Sequence, residues 1–312
     1  MRVLLVRLDG VGDAAVCVPL IASLRDAGHE VGAALTTRNA GVYAPDALIA
    51  QHVLERIPWP AHGSTPETTA RAKGEIAAVR YDVALIASEE PEAFALAAGI
   101  RRRVGFTTGL ARPLKSLWVR ARATHAVSRS QRVGGEAAHE CEVMFRLGAG
   151  LVRDVTPPRD RARLCPLLAA TEGKGSAGAR IVVQGGPKWL ASGVSRETLR
   201  ALHARLRERV RVFATPGDAA FVRDVAGVEP ETFGTVRAWV EALASADAVV
   251  TVDTGAAHVA GMACRRVIDV FPDRDFDAQV RRWHPWAAEY RAFRASDVGA
   301  GGAFVEAVLD GV

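Results

Sequence analysis

Residues 247–271 read DAVVTVDTGAAHVAGMACRRVIDVF, and this stretch determines the fold class of the chain. An apolar run ends at Asp253, a Thr-Gly pair follows, and small residues with helical propensity continue through Ala260. A second apolar run, Val267 to Phe271, completes the order strand, tight turn, short helix, strand, which is typical of a parallel α/β sheet. The turn is expected to place backbone N–H groups at a helix start, where they can hold a phosphate.

Length and composition are those of a globular protein with room for two domains. The chain has 312 residues, of which 49% are hydrophobic and 24% charged. The first apolar run stops at Arg7, which predicts no signal peptide, and no apolar run approaches the roughly 18–20 residues that a membrane span needs. Four scattered cysteines without metal-ligand spacing favour reduced thiols and a cytoplasmic location.

Positive charge is concentrated in one part of the chain. The net charge is only +5, but residues 101–132 contain nine Lys or Arg residues and no Asp or Glu. Such a block suits an anionic partner, or it is a solvated arginine-rich loop. We do not expect nucleic acid as the partner, because no recognition motif or stripe of interleaved aromatic residues accompanies the block.

Strands and helices alternate in the first half of the chain. A strand over Met1–Leu8 precedes a predicted helix over Asp13–Asp26, which Pro19 should kink because proline removes one helix hydrogen bond. The apolar periodicity predicts further elements in this half: strands at Glu30–Leu35, Asp82–Ala87 and Arg103–Phe106, and a helix at Glu136–Leu147.

The alternation pauses and then restarts. Residues 155–179 contain Pro157-Pro158, Pro166 and the run EGKGSAG, a composition typical of a linker. We therefore predict an α/β protein of two Rossmann-like domains, residues 1–156 and 157–312, with parallel sheets facing a central cleft. The elements predicted for the second half are strands at Arg180–Val183, Val210–Ala214 and 248–253, and helices at Ser195–Arg209, Thr235–Ala244 and Ala303–Leu309.

Three groups of motifs resemble glycosyltransferase family 9, the ADP-heptose:lipopolysaccharide heptosyltransferases and their relatives. They are RVLLVRLDGVGDAAVCVPLIASLR near the start, then YDVALIAS, RRRVGF and HECEVMFRLG, then VVTVDTGAAHVAGMA with VIDVFP. The resemblance implies the GT-B architecture, with an acceptor-binding first domain, a second domain that binds a nucleotide-diphosphate sugar of the ADP type, and a final helix that packs back toward the first domain. It also implies an inverting reaction with no cofactor and no bound metal.

Asp13 has two compatible interpretations. Asp is a favoured helix N-cap, which contributes about 1 kcal/mol. The resemblance implies in addition that Asp13 is the general base, which takes the proton from the acceptor hydroxyl. Gly10 and Gly12 would then leave room for the acceptor beside the backbone.

The resemblance assigns the donor site to the second half. Thr254, Gly255, Ala256 and Ala257 would offer backbone N–H groups to the departing phosphate, Thr254 also a hydroxyl, and His258 would bind the donor. Asp253 either stabilises the turn or binds the ribose of the nucleotide donor. Gly185 and Gly186 follow a strand and form a second cradle. Many relatives carry a lysine six residues after the second glycine; an ungapped count lands on Ser192, and nearby Lys188 could substitute. Pro216-Gly217-Asp218 lines the same edge or is a simple turn.

Arg101, Arg102, Arg103 and Arg120 are the candidate acceptor-binding residues, because the resemblance implies an anionic glycolipid or glycan acceptor and a peripheral contact with the inner membrane surface. Two alternatives stay open: another GT-B sugar-nucleotide enzyme, such as an epimerase, and a catalytically weak module that binds nucleotide or glycan. The serine at position 192 supports the second alternative, and the presence of Asp13 opposes it.

Overall fold

The computed structural model describes residues 1–57, 63–130, 132–133, 136–168, 181–206, 209–299 and 302–310. The chain forms two compact units, Met1–Arg159 and Asp160–Val312. The division falls within the stretch 155–179 that the sequence marks as a boundary. The small-residue run Glu172–Gly178 of that stretch lies outside the described residues.

A parallel sheet forms the centre of the first unit. Its described strands are β1 (Arg2–Val6), β2 (Glu30–Thr36), β3 (Gln51–Leu54), β4 (Val83–Ile86), β5 (Arg102–Thr107) and β6 (His125–Ser128). They lie in the order β3-β2-β1-β4-β5-β6, and every neighbouring pair is parallel. The helices are α1 (Val11–Ala15), α2 (Val18–Asp26), α3 (Pro66–Val79), α4 (Pro91–Leu96), α5 (Pro113–Arg120) and α6 (Glu140–Phe145). A short antiparallel pair, β7 (Arg132–Val133) and β8 (Glu136–Ala137), precedes α6.

The second unit repeats this architecture. Its described strands are β9 (Ile181–Gln184), β10 (Val210–Ala214), β11 (Glu231–Thr232), β12 (Ala248–Val252), β13 (Arg266–Phe271) and β14 (Tyr290–Arg294). The strand order β11-β10-β9-β12-β13-β14 is the same permutation as in the first unit. Its helices are α7 (Arg161–Leu164), α8 (Lys188–Ala191), α9 (Arg196–Leu206), α10 (Ala219–Ala226), α11 (Val236–Ser245), α12 (Gly255–Met262), α13 (Phe276–Trp283) and α14 (Ala303–Leu309).

This strand order is that of the doubly wound Rossmann fold. The chain reverses its direction of growth between β1 and β4 in the first sheet and between β9 and β12 in the second. Ligands of open α/β sheets bind at such a switch point, beside the carboxyl ends of the strands. The loops after these four strands are therefore the places to look for function.

The structure corrects the prediction of a single kinked helix over 13–26. The chain forms two helices there, α1 and α2, and Pro19 lies in the first turn of α2. A proline at that position costs no hydrogen bond, since the first N–H groups of a helix have no intrahelical acceptor. The helix predicted over 136–147 is shorter as well, because Glu136 and Ala137 form β8 and the helix begins at Glu140.

Apolar strands and helix faces fill the core of each unit. In the second unit Ile181, Val250 and Ile268 of three adjacent strands are fully buried against Phe304 and Val308 of α14. The resemblance implies that the terminal helix packs back toward the first domain; the side chains that it buries here belong to the core of its own unit. No helix in the described ranges is long and apolar enough to cross a bilayer. All four cysteines are free thiols.

Candidate functional site

Asp13 is fixed at the switch point of the first sheet by a buried arginine. The Nη2 of Arg7 donates to Asp13 Oδ1 at 2.6 Å, and its Nε donates to the Asp13 carbonyl at 3.0 Å. The Nη1 of Arg7 donates to the carbonyl of Ala87, after β4, at 2.6 Å. Asp13 Oδ2 accepts the N–H of Gly10 at 3.1 Å. One carboxylate is thereby tied to the ends of β1 and β4 together.

This arrangement leaves part of the Asp13 carboxylate unoccupied by these hydrogen bonds. A carboxylate offers about four acceptor positions, and the bonds from Arg7 and Gly10 occupy two of them. The Asp13 side chain is 38% exposed, so the remaining positions can be reached from outside. Gly10 therefore does more than leave space: it is the N-cap of α1 and orients the carboxylate through its own N–H.

Arg7 and Asp9 belong to this site, although sequence reasoning treated them only as an interruption of an apolar run. Burial opposes the charge of Arg7, yet the neighbouring acidic groups of Cys17, Asp13 and Asp9 raise the pKa of its guanidinium above the ordinary value. Asp9 Oδ2 lies 3.4 Å from Arg7 and accepts a 2.5 Å bond from Ser88. Two charges directly after four buried apolar residues are the signal that could have found this pair.

The loop after β4 carries a second ion-pair network. Glu89 pairs with Lys115 and, at 2.8 Å, with Arg129, which also binds the fully buried Glu140 at 2.6 Å. Burial raises the pKa of Glu89, but hydrogen bonds and charge from Lys115 and Arg129 outweigh it and lower the pKa overall. Two basic groups of the 101–132 block are thus held by acids from elsewhere in the same unit.

The strand register separates Arg102 and its neighbours Arg101 and Arg103 from Asp13, and their contact with the acceptor stays a prediction. Val83 pairs with both Val3 and Arg102, so Arg102 lies at the amino ends of the strands. Asp13 follows the carboxyl end of β1, on the opposite edge.

The guanidinium of Arg103 is also already engaged. It donates to the carbonyls of Ile100 and Arg122 at 2.6 Å each. Arg120 ends α5 two residues before Arg122, so it lies toward the same amino edge.

In the second unit, the Gly185-Gly186 turn after β9 is rigidly braced. The indole N–H of Trp189 donates to the Gln184 carbonyl at 2.8 Å, and that of Trp239 donates to Gln184 Oε1 at 2.9 Å. A Cβ at Gly185 would lie 2.8 Å from Val222, so this glycine permits close packing of α10 on the sheet. Sequence reasoning assigned the glycines to a ligand and missed the bracing role of Gln184 and the tryptophans.

Lys188, rather than Ser192, reaches the loop after β12. Lys188 is the first residue of α8; its Nζ contacts the carbonyl oxygen of Asp253 and lies 3.7 Å from the carboxylate Oδ2 of the same residue. Ser192 is buried at the end of α8, and its N–H donates to the Lys188 carbonyl at 2.8 Å. The ungapped count therefore lands one helical turn beyond the residue that contacts Asp253.

The turn at 253–258 is a helix N-terminus capped by Thr254. Thr254 Oγ1 accepts the N–H of Ala256 at 3.3 Å and shares a 2.8 Å hydrogen bond with Thr251 Oγ1. The N–H of Ala257 donates to the Thr254 carbonyl at 3.1 Å. Two of the four N–H groups expected for a phosphate are therefore engaged locally, whereas those of Thr254 and Gly255 donate to no other described residue and are placed as an anion site requires.

Asp253 connects the charged groups of this edge. Its carboxylate lies 3.7 Å from the Nζ of Lys188 and 3.7 Å from the Nε2 of His258, a buried residue whose ring packs beside Trp283. Asp218, in the loop after β10, accepts a 2.7 Å bond from Thr215, and its carboxylate lies beside Gly186. The loops after β9, β10 and β12 thus meet at one edge. Among the described residues, no group of three or more His, Cys, Asp or Glu side chains could hold a metal ion.

Asp269 lies on β13 beneath this edge and is fully buried. Neither of its carboxyl oxygens accepts a hydrogen bond of normal length. Burial raises the pKa of Asp269 well above its usual range, and the charge of Asp253 raises it further. Both effects favour the uncharged form of Asp269.

Solved structures share this fold. A glycosyl transferase of family 9 from Veillonella parvula matches with a TM-score of 0.69 and 15% identity over 95% of this chain and 86% of its own. The E. coli heptosyltransferase WaaC with ADP matches with a TM-score of 0.67 and 19% identity over 99% and 98%. The E. coli ADP-heptose lps heptosyltransferase II matches with a TM-score of 0.69 and 14% identity over 100% and 97%. No protein-family model matches the sequence, and no curated protein matches it.

At these identities the likeness establishes the fold. It confirms the predicted α/β class of the GT-B type, since two Rossmann-like units with matching strand order account for nearly the whole length of each compared chain.

Proposed function

We propose that the chain is an inverting, metal-independent glycosyltransferase of family 9, which moves a heptose-like sugar from a nucleotide-diphosphate donor to a glycan or glycolipid acceptor. The observation that carries this proposal is the difference between its two switch points. One holds an oriented and accessible carboxylate, Asp13; the other holds a helix N-terminus beside Lys188. Proton removal and release of an anionic leaving group are the two tasks of this reaction.

The donor diphosphate is assigned to the loops after β9 and β12. When the bond between the sugar and the β-phosphate breaks, negative charge develops on the departing oxygen. The free N–H groups of Thr254 and Gly255 and the ammonium group of Lys188 are suited to that charge, and one donor aimed at developing charge contributes about 3–4 kcal/mol in other enzymes. The E. coli structure with ADP supports an adenine nucleotide as the first choice of donor.

Asp13 is assigned as the general base. Its carboxylate takes the proton of the acceptor hydroxyl while that oxygen attacks the anomeric carbon from the face opposite the diphosphate. The new C–O bond forms as the old one breaks, the electron pair leaves with the β-phosphate, and the configuration inverts. Arg7 and Gly10 hold the carboxylate so that it is oriented before the acceptor arrives.

The acceptor is proposed to be an anionic glycolipid or glycan of the cell envelope, such as a lipopolysaccharide core. The enzyme would then work in the cytoplasm, in peripheral contact with the inner membrane surface. Because Arg101–Arg103 lie at the opposite edge of the sheet from Asp13, we no longer assign them to the acceptor's reacting end.

Two measurements test the proposal. A thermal-shift screen of ADP, GDP, UDP and TDP should give one clear hit, since a ligand at 100 times its Kd stabilises by about 2.7 kcal/mol. Transfer from the matching nucleotide-heptose should then proceed with inversion and in the presence of EDTA. Absence of any nucleotide shift would contradict the donor site, and loss of transfer in EDTA would contradict metal independence.

Product analysis separates the remaining alternatives. Release of an epimerised sugar nucleotide without transfer would indicate an epimerase, and nucleotide binding without turnover of any sugar nucleotide would indicate a binding module. The binding module drew its support from Ser192; Lys188 beside Asp253 supplies a positive charge at the same edge, which weakens that support.

A further inference from the structure

Three leucines of one short segment are exposed on the first unit. Leu110, Leu114 and Leu117 have exposed fractions of 96%, 81% and 64%, and they are three of the six large hydrophobic side chains exposed in the described residues. Leu110 lies in the turn before α5, and the other two lie on α5 itself. We call these three residues the leucine strip.

The strip is the outward face of a helix that is anchored on its other side. Leu114 and Leu117 are three residues apart, so they point the same way from α5. Ser116 and Val119 lie on the opposite face and are buried against the sheet. Exposed apolar side chains that lie together on one surface mark a contact with an apolar partner, whereas singly scattered ones do not.

Basic residues border the strip on both sides. Arg112 and Arg120 precede and follow Leu114 and Leu117, both are exposed, and among the described residues neither forms an ion pair. Arg122 stacks on the ring of Trp118 at 4.1 Å, which places an aromatic ring and a cation side by side at one end of α5. Lys115 and Arg129 differ, since Lys115 pairs with Glu89 and Arg129 pairs with both Glu89 and Glu140.

No acidic residue interrupts this surface in the sequence, because positions 101–132 contain neither Asp nor Glu. A surface with an apolar ridge and flanking unpaired arginines matches the interfacial region of an anionic bilayer, where acyl chains accept the leucines and headgroup phosphates accept the guanidinium groups. A nucleic acid would satisfy the arginines but would leave the leucines in water.

We propose that the leucine strip, with Arg112 and Arg120, is a docking surface for an anionic lipid bilayer. α5 lies on the surface of the membrane and does not cross it. The inference rests on one part of the proposed function, the peripheral contact with a membrane surface, and assigns that contact to particular residues from their exposure and charge. It places lipid beside the carboxyl edge of the first sheet, where α5 begins and Asp13 lies.

Flotation of the full chain with vesicles tests the proposal. The protein should float with vesicles that contain phosphatidylglycerol, bind pure phosphatidylcholine vesicles at least tenfold more weakly, and lose binding at high salt. Leu114→Ser with Leu117→Ser should weaken binding at least tenfold, and Arg112→Ser with Arg120→Ser should do the same. Val155→Ser and Arg38→Ser replace an exposed apolar and an exposed basic residue elsewhere in the unit and should change nothing.

Thermal melts of all variants check that they fold, which is expected because every substituted side chain is exposed. The proposal is overturned if the wild-type chain ignores phosphatidylglycerol vesicles, or if binding persists in both double variants. It is also overturned if the leucine variant instead abolishes a concentration-dependent dimer in sedimentation, since a second copy would then be the partner. No readout uses glycosyl transfer, so failure here is distinct from failure of the proposed function.

Discussion

The two units have the same strand order, but they differ in whether their buried titratable groups form ion pairs. In the first unit the buried charged groups are paired: Arg7 binds Asp13, and Glu140 binds Arg129. In the second unit two buried titratable groups, Asp269 and His203, form no ion pair with another described residue, and burial shifts the pKa of each in the direction of its neutral form. One sheet therefore presents oriented charges at its switch point, whereas the other presents backbone N–H groups and a lysine. The same fold supports different chemistry because function depends on the loops.

The largest expected effect is on turnover, and it comes from removing the oriented charge of Asp13 in the first unit. Asp13→Asn preserves the shape of the side chain but removes its basic oxygen, so turnover should fall by about 10²- to 10⁴-fold. The affinity for ADP should be unchanged, because the donor is assigned to the other unit. Steady-state kinetics and calorimetry measure the two quantities. Asp46→Asn, at an exposed position of the same unit, is the control. Near-normal turnover in Asp13→Asn would remove Asp13 from the mechanism.

Arg7 offers a test of how much the paired charges stabilise the first unit. Arg7→Met leaves Asp13 and Asp9 without their shared cation, and loss of one partner of a buried pair should lower the free energy of unfolding by about 3 kcal/mol. Arg2→Met is a matched control at the first residue of β1, the strand that Arg7 directly follows. Arg2 pairs with Glu30 at the surface, so its loss should cost less than about 1 kcal/mol. Equal losses in urea unfolding would show that burial of Arg7 does not matter.

His203 tests the second unit's unpaired groups. Burial lowers the pKa of His203 from 6.5 to about 4. As the pH falls below 6.5, His203 binds a proton in the unfolded chain but not in the folded chain. The free energy of unfolding therefore decreases until the pH reaches about 4. The loss attributable to His203 should be about 2 kcal/mol at pH 5.

His203→Leu should abolish this part of the acid destabilisation, whereas His125→Leu, at an exposed position, should retain it. Urea unfolding at pH 7 and pH 5, followed by tryptophan fluorescence, measures the difference, since four of the six tryptophans lie in the second unit. An unchanged pH dependence in His203→Leu would show that the ring is protonated in the fold.

Central strands were predictable from the sequence because burial on both faces gives them continuous apolar runs, as in β12 and β13. The four edge strands, β3, β6, β11 and β14, were missed because each is short or half-exposed and lacks a continuous apolar run. Asp13 and the turn at 253–258 follow the ends of apolar strands closely, and their roles stay predictions. The contact of Lys188 with Asp253 joins loops 65 residues apart, and no local pattern encodes it. For the same reason, the ungapped count along the chain led to Ser192. The sequence of the basic block 101–132 likewise does not show that its arginines lie at two different edges of the first sheet.

The smallest expected effect is on the affinity for ADP, and it concerns the second unit. It distinguishes between Lys188 at the start of α8 and Ser192 at its C-cap. Lys188→Met keeps the length of the side chain and removes the ammonium group, which is about half-exposed beside Asp253. An exposed cation at a diphosphate contributes modestly, so the affinity for ADP should fall about tenfold, or by about 1.4 kcal/mol. Ser192→Ala should leave the affinity unchanged, because that hydroxyl is buried at the end of the helix. Calorimetry on both variants decides between them: a loss in Ser192→Ala with none in Lys188→Met would return the diphosphate contact to position 192, and would mean that the loop after β9 moves when the nucleotide binds.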